Sequence, residues 1–174
     1  MDYVIFPAGP DDAEALAEVH IAAWRESYRG LIADSYLDRM SPGAHARRFA
    51  GTLVHPPQDS VTLAAASRNG IVGYIAGGPS RRARPAEAEV QTLYVRLSAQ
   101  RAGLGRHLMR AAARVLAAHG ARSLMVSTLR DNLPARRFYE RLGGAGEPPR
   151  SEPGPGGVHV EVRYVWADIG GIIL

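Results

Sequence analysis

The stretch whose reading decides the fold is Glu89-Val-Gln-Thr-Leu-Tyr-Val-Arg-Leu-Ser-Ala-Gln-Arg-Ala-Gly-Leu-Gly-Arg-His-Leu-Met109. Its first part is rich in β-formers and reads as the end of a strand over residues 87–95. Its last part opens an amphipathic helix over 104–119, ended by Gly120. Between them, Gln100-Arg101-Ala102-Gly103-Leu104-Gly105 is a loop whose glycines let backbone N–H groups turn inward and approach a ligand closely. The first turn of a helix leaves N–H donors unpaired and carries partial positive charge, so this junction can hold an anion. Arg101 and Arg106 add full charges beside it. The same glycines would serve a tight strand-to-helix turn that binds nothing. A dinucleotide fingerprint is excluded, because Leu108 stands where its third glycine belongs.

Working outward, residues 122–128 read as the next strand, and the strand–helix–strand unit makes its two strands parallel. Upstream, residues 61–67 and 71–76 flank Arg68-Asn69-Gly70, a hairpin with an expected type I′ turn, followed by a Gly/Pro/Arg loop over 77–86. Residues 3–6 form a first strand. Asp11 and Asp12 then open a helix carrying Leu16, Val19 and Ala23, continued by Trp24 and Tyr28. Ser41 caps a helix that starts at Pro42 and runs towards Val54. Downstream, Asn132 caps a helix to Leu142, residues 148–157 read as a mobile Pro/Gly-rich loop, and 158–166 is an apolar strand containing Glu161 and Arg163. Strands that meander and then alternate with helices predict a mixed sheet covered on both faces.

A chain of 174 residues, 46% hydrophobic, is read as one domain over 1–174. It has no Cys, which removes disulfides, thiolate metal sites and a cysteine nucleophile. All 21 basic residues are Arg, so Schiff-base chemistry and a P-loop lysine are also excluded. The net charge of +4 suits an anionic small ligand; clustered Arg interleaved with aromatics, as nucleic-acid binding would need, is not seen. The six His show no metal-ligand spacing, so no metal is expected. With no signal-like start and no 18-residue apolar run, the expectation is a cytoplasmic protein that binds no membrane.

Gln100, Gly103 and Gly105 match Q/R-x-x-G-x-G/A, and Asn132-Leu-Pro-Ala135-Arg-Arg-Phe138-Tyr139-Glu-Arg-Leu142-Gly143 matches N-x-x-A-x-x-[FL]-Y-x-x-x-G. On these two blocks, in this order, the chain resembles the GNAT superfamily of N-acetyltransferases over about residues 60–145. One departure is Gly144, where Phe usually follows Leu-Gly; it puts the packing of the next strand in question. The resemblance implies an α+β fold, an α/β/α sandwich whose mixed central sheet of about seven strands splays between the fourth and fifth. It implies acetyl-CoA as co-substrate. The pyrophosphate would lie on the N–H groups of Gly103, Leu104, Gly105 and Arg106, with Gln100, Arg101 and Ala102 also in the cofactor-binding loop, and the pantetheine along the backbone of Leu93, Tyr94 and Val95.

The resemblance further makes Glu89, fourteen residues before Gly103, the expected catalytic base, acting directly or through water. A surface ion pair is the competing reading, and strict alternation would place Glu89 on the face of Gln91 and Leu93. Tyr139 is the expected acid for the leaving thiolate; its place in an i, i+3, i+4, i+7 stripe with Ala135, Phe138 and Leu142 also fits a core residue. Asn132 would cap its helix, contact pantetheine, or both. Trp24 and Tyr28 would wall an acceptor pocket, with Tyr74 on the same side, or Trp24 and Tyr28 would serve helix packing alone; Arg81, Arg82 and Arg84 would be a solvated loop or attract a phosphate or an acidic acceptor. The acceptor is expected to be a small-molecule amine or a protein N-terminus, with self-association as a homodimer. The alternative function is a non-catalytic acyl-CoA-binding regulatory module.

Overall fold

The computed structural model describes residues 2–81 and 85–173. Strands β1 (Val4–Pro7), β2 (Val61–Ser67), β3 (Gly70–Pro79), β4 (Ala88–Val95), β5 (Leu124–Leu129), β6 (Ala145–Gly146), β7 (Arg150–Gly154) and β8 (Gly157–Trp166) make one sheet. Its order is β1-β2-β3-β4-β5-β8-β6, with β7 also paired to β8. Among the described residues the sheet thus has eight strands rather than about seven. All the pairings are antiparallel except β4 with β5, which is parallel as the strand–helix–strand unit requires.

The helices are α1 (Ala13–Tyr28), α2 (Asp34–Asp38), α3 (Pro42–Val54), α4 (Leu104–Ala118), α5 (Leu133–Arg141) and α6 (Gly170–Ile173). Leu16 and Val19 of α1 pack with Ala64 and Tyr74 on one face of the sheet, and Phe49 and Leu53 of α3 join them. On the other face, Leu104, Leu108, Met109 and Leu116 of α4 pack on Leu63, Ala65, Ile75 and Val90, with Tyr139 of α5 and Ile172 of α6 alongside. Two helical layers therefore enclose the sheet. Ser41 caps α3 by accepting from Ala44 N, as its side chain predicts.

Two features of β4 position everything that follows. Ala76 pairs with Thr92 and Gly77 with Val90, so Gln91 is an extra residue, a β-bulge. At this point a Cβ on Gly77 would lie 2.6 Å from the Glu89 carbonyl oxygen, which is why the facing residue has no side chain. Beyond the bulge β4 leaves its parallel neighbour: β5 pairs only Leu124, Met125 and Val126, with Ala88, Glu89 and Val90. The sheet opens there, and Thr92, Leu93, Tyr94 and Val95 keep β3 on one side and, among the described residues, no strand on the other.

Several expectations are corrected. The β2–β3 turn is not type I′: positive φ falls on Gly70 (95°) and not on Asn69, the pattern of a type I turn closed by a glycine bulge. The 77–86 segment begins as strand, since β3 continues to Pro79. The 148–157 segment is not a loop but the first arm and turn of the β7–β8 hairpin, tied down by a part-buried Arg163–Glu152 ion pair at 2.6 Å. Gly144 is explained by Trp166, whose ring lies 2.8 Å from where a Cβ would be and whose Nε1 donates to the Leu142 carbonyl at 2.8 Å. The indole fills the space a Phe would take.

Candidate active site

A cavity of about 890 Å³ runs along the open edge of β4, between the start of α4, the length of α5 and the end of α1. Its floor is the backbone of Leu93, Tyr94 and Val95, where strand pairing on the β5 side has stopped. Polar backbone groups on such an edge need a partner, and an extended ligand can supply it as an added strand.

At one end lies the loop before α4. Gln100, Arg101, Gly103, Gly105 and Arg106 line the cavity; Leu104 turns its side chain into the core and Ala102 stays outside. Gln100 Nε2 donates to the Val95 carbonyl at 2.9 Å, which ties the loop to the end of β4. Gly103 caps α4 with φ 81°, and Arg101 also has positive φ, 61°, which is unusual for a residue with a Cβ. Two left-handed residues so close together turn successive N–H groups towards one side, the form of an anion-binding nest. Gly105 lets α5 come close: a Cβ there would stand 3.3 Å from the Phe138 ring.

In the middle, Tyr139 lines the cavity while buried against Phe138, Tyr164 and Trp166. Burial raises its phenol well above the ordinary value, so it is protonated at neutral pH. Asn132 also lines it and caps α5, accepting from Ala135 N at 3.2 Å. On β5, where the strands part, Ser127 lines the cavity with a buried Oγ that has no hydrogen-bond partner among the described residues.

At the other end Ala23, Ser27 and Tyr28 of α1 close the cavity against Tyr94. The Tyr28 and Tyr94 hydroxyls are 3.5 Å apart, and burial raises both phenols. The end of α1 is held over β4 by Glu26, which accepts from Leu97 N at 3.0 Å. Trp24 and Tyr74 are not on the cavity wall. Trp24 packs behind Tyr28, its ring against those of His20, Tyr36 and Tyr94, and Tyr74 is fully buried. Tyr74 is hydrogen-bonded to His20 Nδ1 at 2.6 Å. Burial, with the charges of His45 and Arg48 adding to it, pushes the His20 imidazole from its ordinary 6.5 down to about 3.

Glu89 sits just outside the cavity lining, and on a different face from the one strict alternation gives. The extra residue at Gln91 resets the alternation: Val90, Leu93 and Val95 face the α4 core, while Tyr94 packs with Tyr74 on the α1 side. Glu89, alternating with Val90, therefore shares the α1 side with Tyr94 and not a face with Leu93. Its carboxylate is 4% exposed by residue and takes two hydrogen bonds from the Arg81 guanidinium, at 2.8 and 3.1 Å. Arg81 is thus committed to Glu89; Arg82 and Arg84 lie outside the described residues. Sequence reasoning missed Ser127, which no motif marks. It also passed over Arg137 and Arg141, which line the cavity from α5 and whose i, i+4 spacing was legible within the second block. Among the described residues no helix is long and apolar enough to cross a membrane, and no group of three acidic or His side chains is placed to hold a metal ion.

The model of the acetyltransferase (GNAT) family matches residues 13–144. An N-acetyltransferase of Bacillus subtilis, YuaI, itself uncharacterized, is 27% identical over 131 residues, covering 75% of this chain and 73% of its own. The PaiA N-acetyltransferase of Thermoplasma acidophilum, solved with coenzyme A, superposes with TM-score 0.73 at 19% identity, over 95% of this chain and 100% of that one. YncA of Salmonella typhimurium, solved with acetyl-CoA, gives TM-score 0.72 at 19% identity, over 95% and 94%.

Proposed function

This chain belongs to the acetyltransferase (GNAT) family, and from that premise we propose that it moves an acetyl group from acetyl-CoA to the primary amine of a small molecule, by direct attack with both substrates bound. The observation that carries this reading is the single cavity joining a phosphate-type nest, an unpaired strand edge and an aromatic end. The donor set fits the co-substrate: N–H groups and arginines for phosphates, free backbone on β4 for the pantetheine amides, and the unpartnered Ser127 hydroxyl where the strands part. Bound there, acetyl-CoA supplies an activated thioester carbonyl; the chain holds it against the amine, and such positioning provides much of the rate.

Tyr139, kept protonated by burial, is the proton donor to the departing sulfur. Glu89 takes the proton of the amine through a water, since its carboxylate stands behind the cavity wall. Tyr28 and Tyr94 orient the acceptor. The absence of Cys fits transfer without an acyl-cysteine stage. The tip of the β7–β8 hairpin packs on Ile32 and on Tyr36 of α2, with the Cβ position of Gly156 3.4 Å from Ile32 Cγ2 and 3.6 Å from Tyr36 Cβ. Thiol release from acetyl-CoA, measured with a panel of small amines and of peptides with free N-termini, tests the reading: release with small amines is expected, and release with peptides alone overturns the acceptor class.

A further inference from the structure

The carboxylate of Glu89 is sealed in the fold, and the charge that answers it comes from the surface. Its side chain is 5% exposed, and that of Arg81 is 66% exposed. Other exposed arginines meet exposed carboxylates: Arg29 with Asp38, Arg122 with Glu87, and Arg130 with Asp131. Such surface pairs contribute little, because either partner is well solvated alone. A buried carboxylate differs, since leaving water is costly unless a partner charge and hydrogen bonds take its place. Arg81 supplies both.

The grip is a fork. Arg81 Nη2 donates to Glu89 Oε1 at 2.8 Å and Nε to Oε2 at 3.1 Å, and the Arg81 backbone N–H donates to the same Oε2 at 3.4 Å. Two bonds from one guanidinium fix the plane of a carboxylate as well as its place, which a single point charge does not. A carboxylate has about four acceptor sites. Three bonds leave about one, for the water through which Glu89 takes the proton of the amine. The backbone delivers the fork: Arg81 stands two residues beyond the end of β3, and Gly78 of that strand pairs with Glu89. The hydrogen bond to Glu89 raises the guanidinium above the ordinary arginine value; partial burial opposes this, and the charges of Glu89 and of Glu161 on β8 add to it. Arg81 does not line the cavity, so it acts on the chemistry through Glu89.

We propose that Arg81 is a positioning residue for the acetyl transfer, its fork holding the Glu89 carboxylate in the orientation from which it takes the proton of the amine. The inference rests on the reading of Glu89 as the base. The proton passes from the amine nitrogen to the water as the water gives one to a Glu89 oxygen; the guanidinium gives up no proton and keeps its bonds.

The test is the kinetics of thiol release by the whole chain, with acetyl-CoA and the small amine of the panel that gives the fastest release. R81A is expected to lower kcat by about 10²-fold, the order of loss that misplacing a reacting group brings, with the calorimetric affinity for coenzyme A unchanged. Added methylguanidinium is expected to restore a large part of that kcat, and R81K, which keeps the charge without the fork, to lie between R81A and the parent. E89Q and R81A/E89Q are expected to share one kcat that methylguanidinium leaves unmoved, because the fork has nothing to orient once the base is gone. A parental kcat in R81A or R81K overturns the proposal. So do losses that multiply in the double variant, or a rescue that does not need Glu89. A parental kcat in E89Q overturns the base reading with it, and release with no amine at all overturns the acetyl-transfer reading as well.

Discussion

Tyr139 and Glu89 illustrate how one residue's setting decides its chemistry. A phenol lining a cavity yet buried among three aromatic rings stays protonated, which is the state a proton donor needs. Tyr139→Phe keeps the packing and removes the proton, so kcat should fall by about 10²-fold while the calorimetric affinity for coenzyme A stays nearly unchanged; equal kcat would make Tyr139 a packing residue. Glu89→Gln keeps a hydrogen-bond acceptor for Arg81 but cannot take a proton. Its kcat should also fall by about 10²-fold; an unaltered kcat places the base elsewhere. The identities of both residues were legible from the two sequence blocks, because they lie at fixed offsets from glycines and Asn132. The face on which Glu89 lies was not, because it depends on a bulge two residues away.

At the scale of elements, that bulge had no visible mark on its own strand. Gln91 is neither Gly nor Pro, and nothing in Glu89-Val-Gln-Thr distinguishes a bulged strand from a regular one. The mark was on the neighbour, at Gly77. Gly77→Ala should lower stability by about 1–3 kcal/mol, because the new Cβ would meet backbone that cannot rotate away. Gly78→Ala, whose Cβ would meet Ser60 at 3.3 Å, should cost less; thermal unfolding of the pair checks the order. The β7 strand escaped notice for a different reason. Arg150-Ser-Glu-Pro153-Gly has no alternation and no β-branched residue, and it is a strand because β8 offers it a partner. Pro153 is tolerated because β7 pairs on one side alone. Helices with caps and a single apolar stripe, such as α4 and α5, were readable to within a few residues because local chemistry sets their ends.

At the scale of the whole molecule, α1, α3 and the sheet meet at His20, whose ring contacts Trp24, His45, Phe49, Tyr74 and Tyr94. The fold accepts this imidazole only when neutral, with a folded value of about 3 against an ordinary 6.5. Above pH 6.5 neither state is protonated and stability is unaffected; as pH falls from there towards 3, the unfolded chain gains a proton the folded chain refuses, and stability is lost throughout that window. The loss approaches about 1.4 kcal/mol per pH unit. His20→Gln, neutral at every pH, should flatten the difference in urea unfolding free energy between pH 7 and pH 4, and an identical slope in variant and parent would show that His20 does not govern it.

The three-pair contact between β4 and β5 has a consequence for how the molecule holds together. The sheet is two halves, a meander and a β5–β8 half, joined along a seam only as long as Ala88 to Val90, and below it the halves are held apart by a space rather than by a core. A ligand laid in that space as proposed would be bonded to one half by strand edge and to the other through α5, and would behave as a removable part of the architecture. Binding energy spent there is also cohesion between the halves. With acetyl-CoA as that ligand, as proposed, resistance to unfolding would rise with the supply of acetyl donor, and a fall in that supply would be felt first as a looser molecule and only afterwards as a slower one.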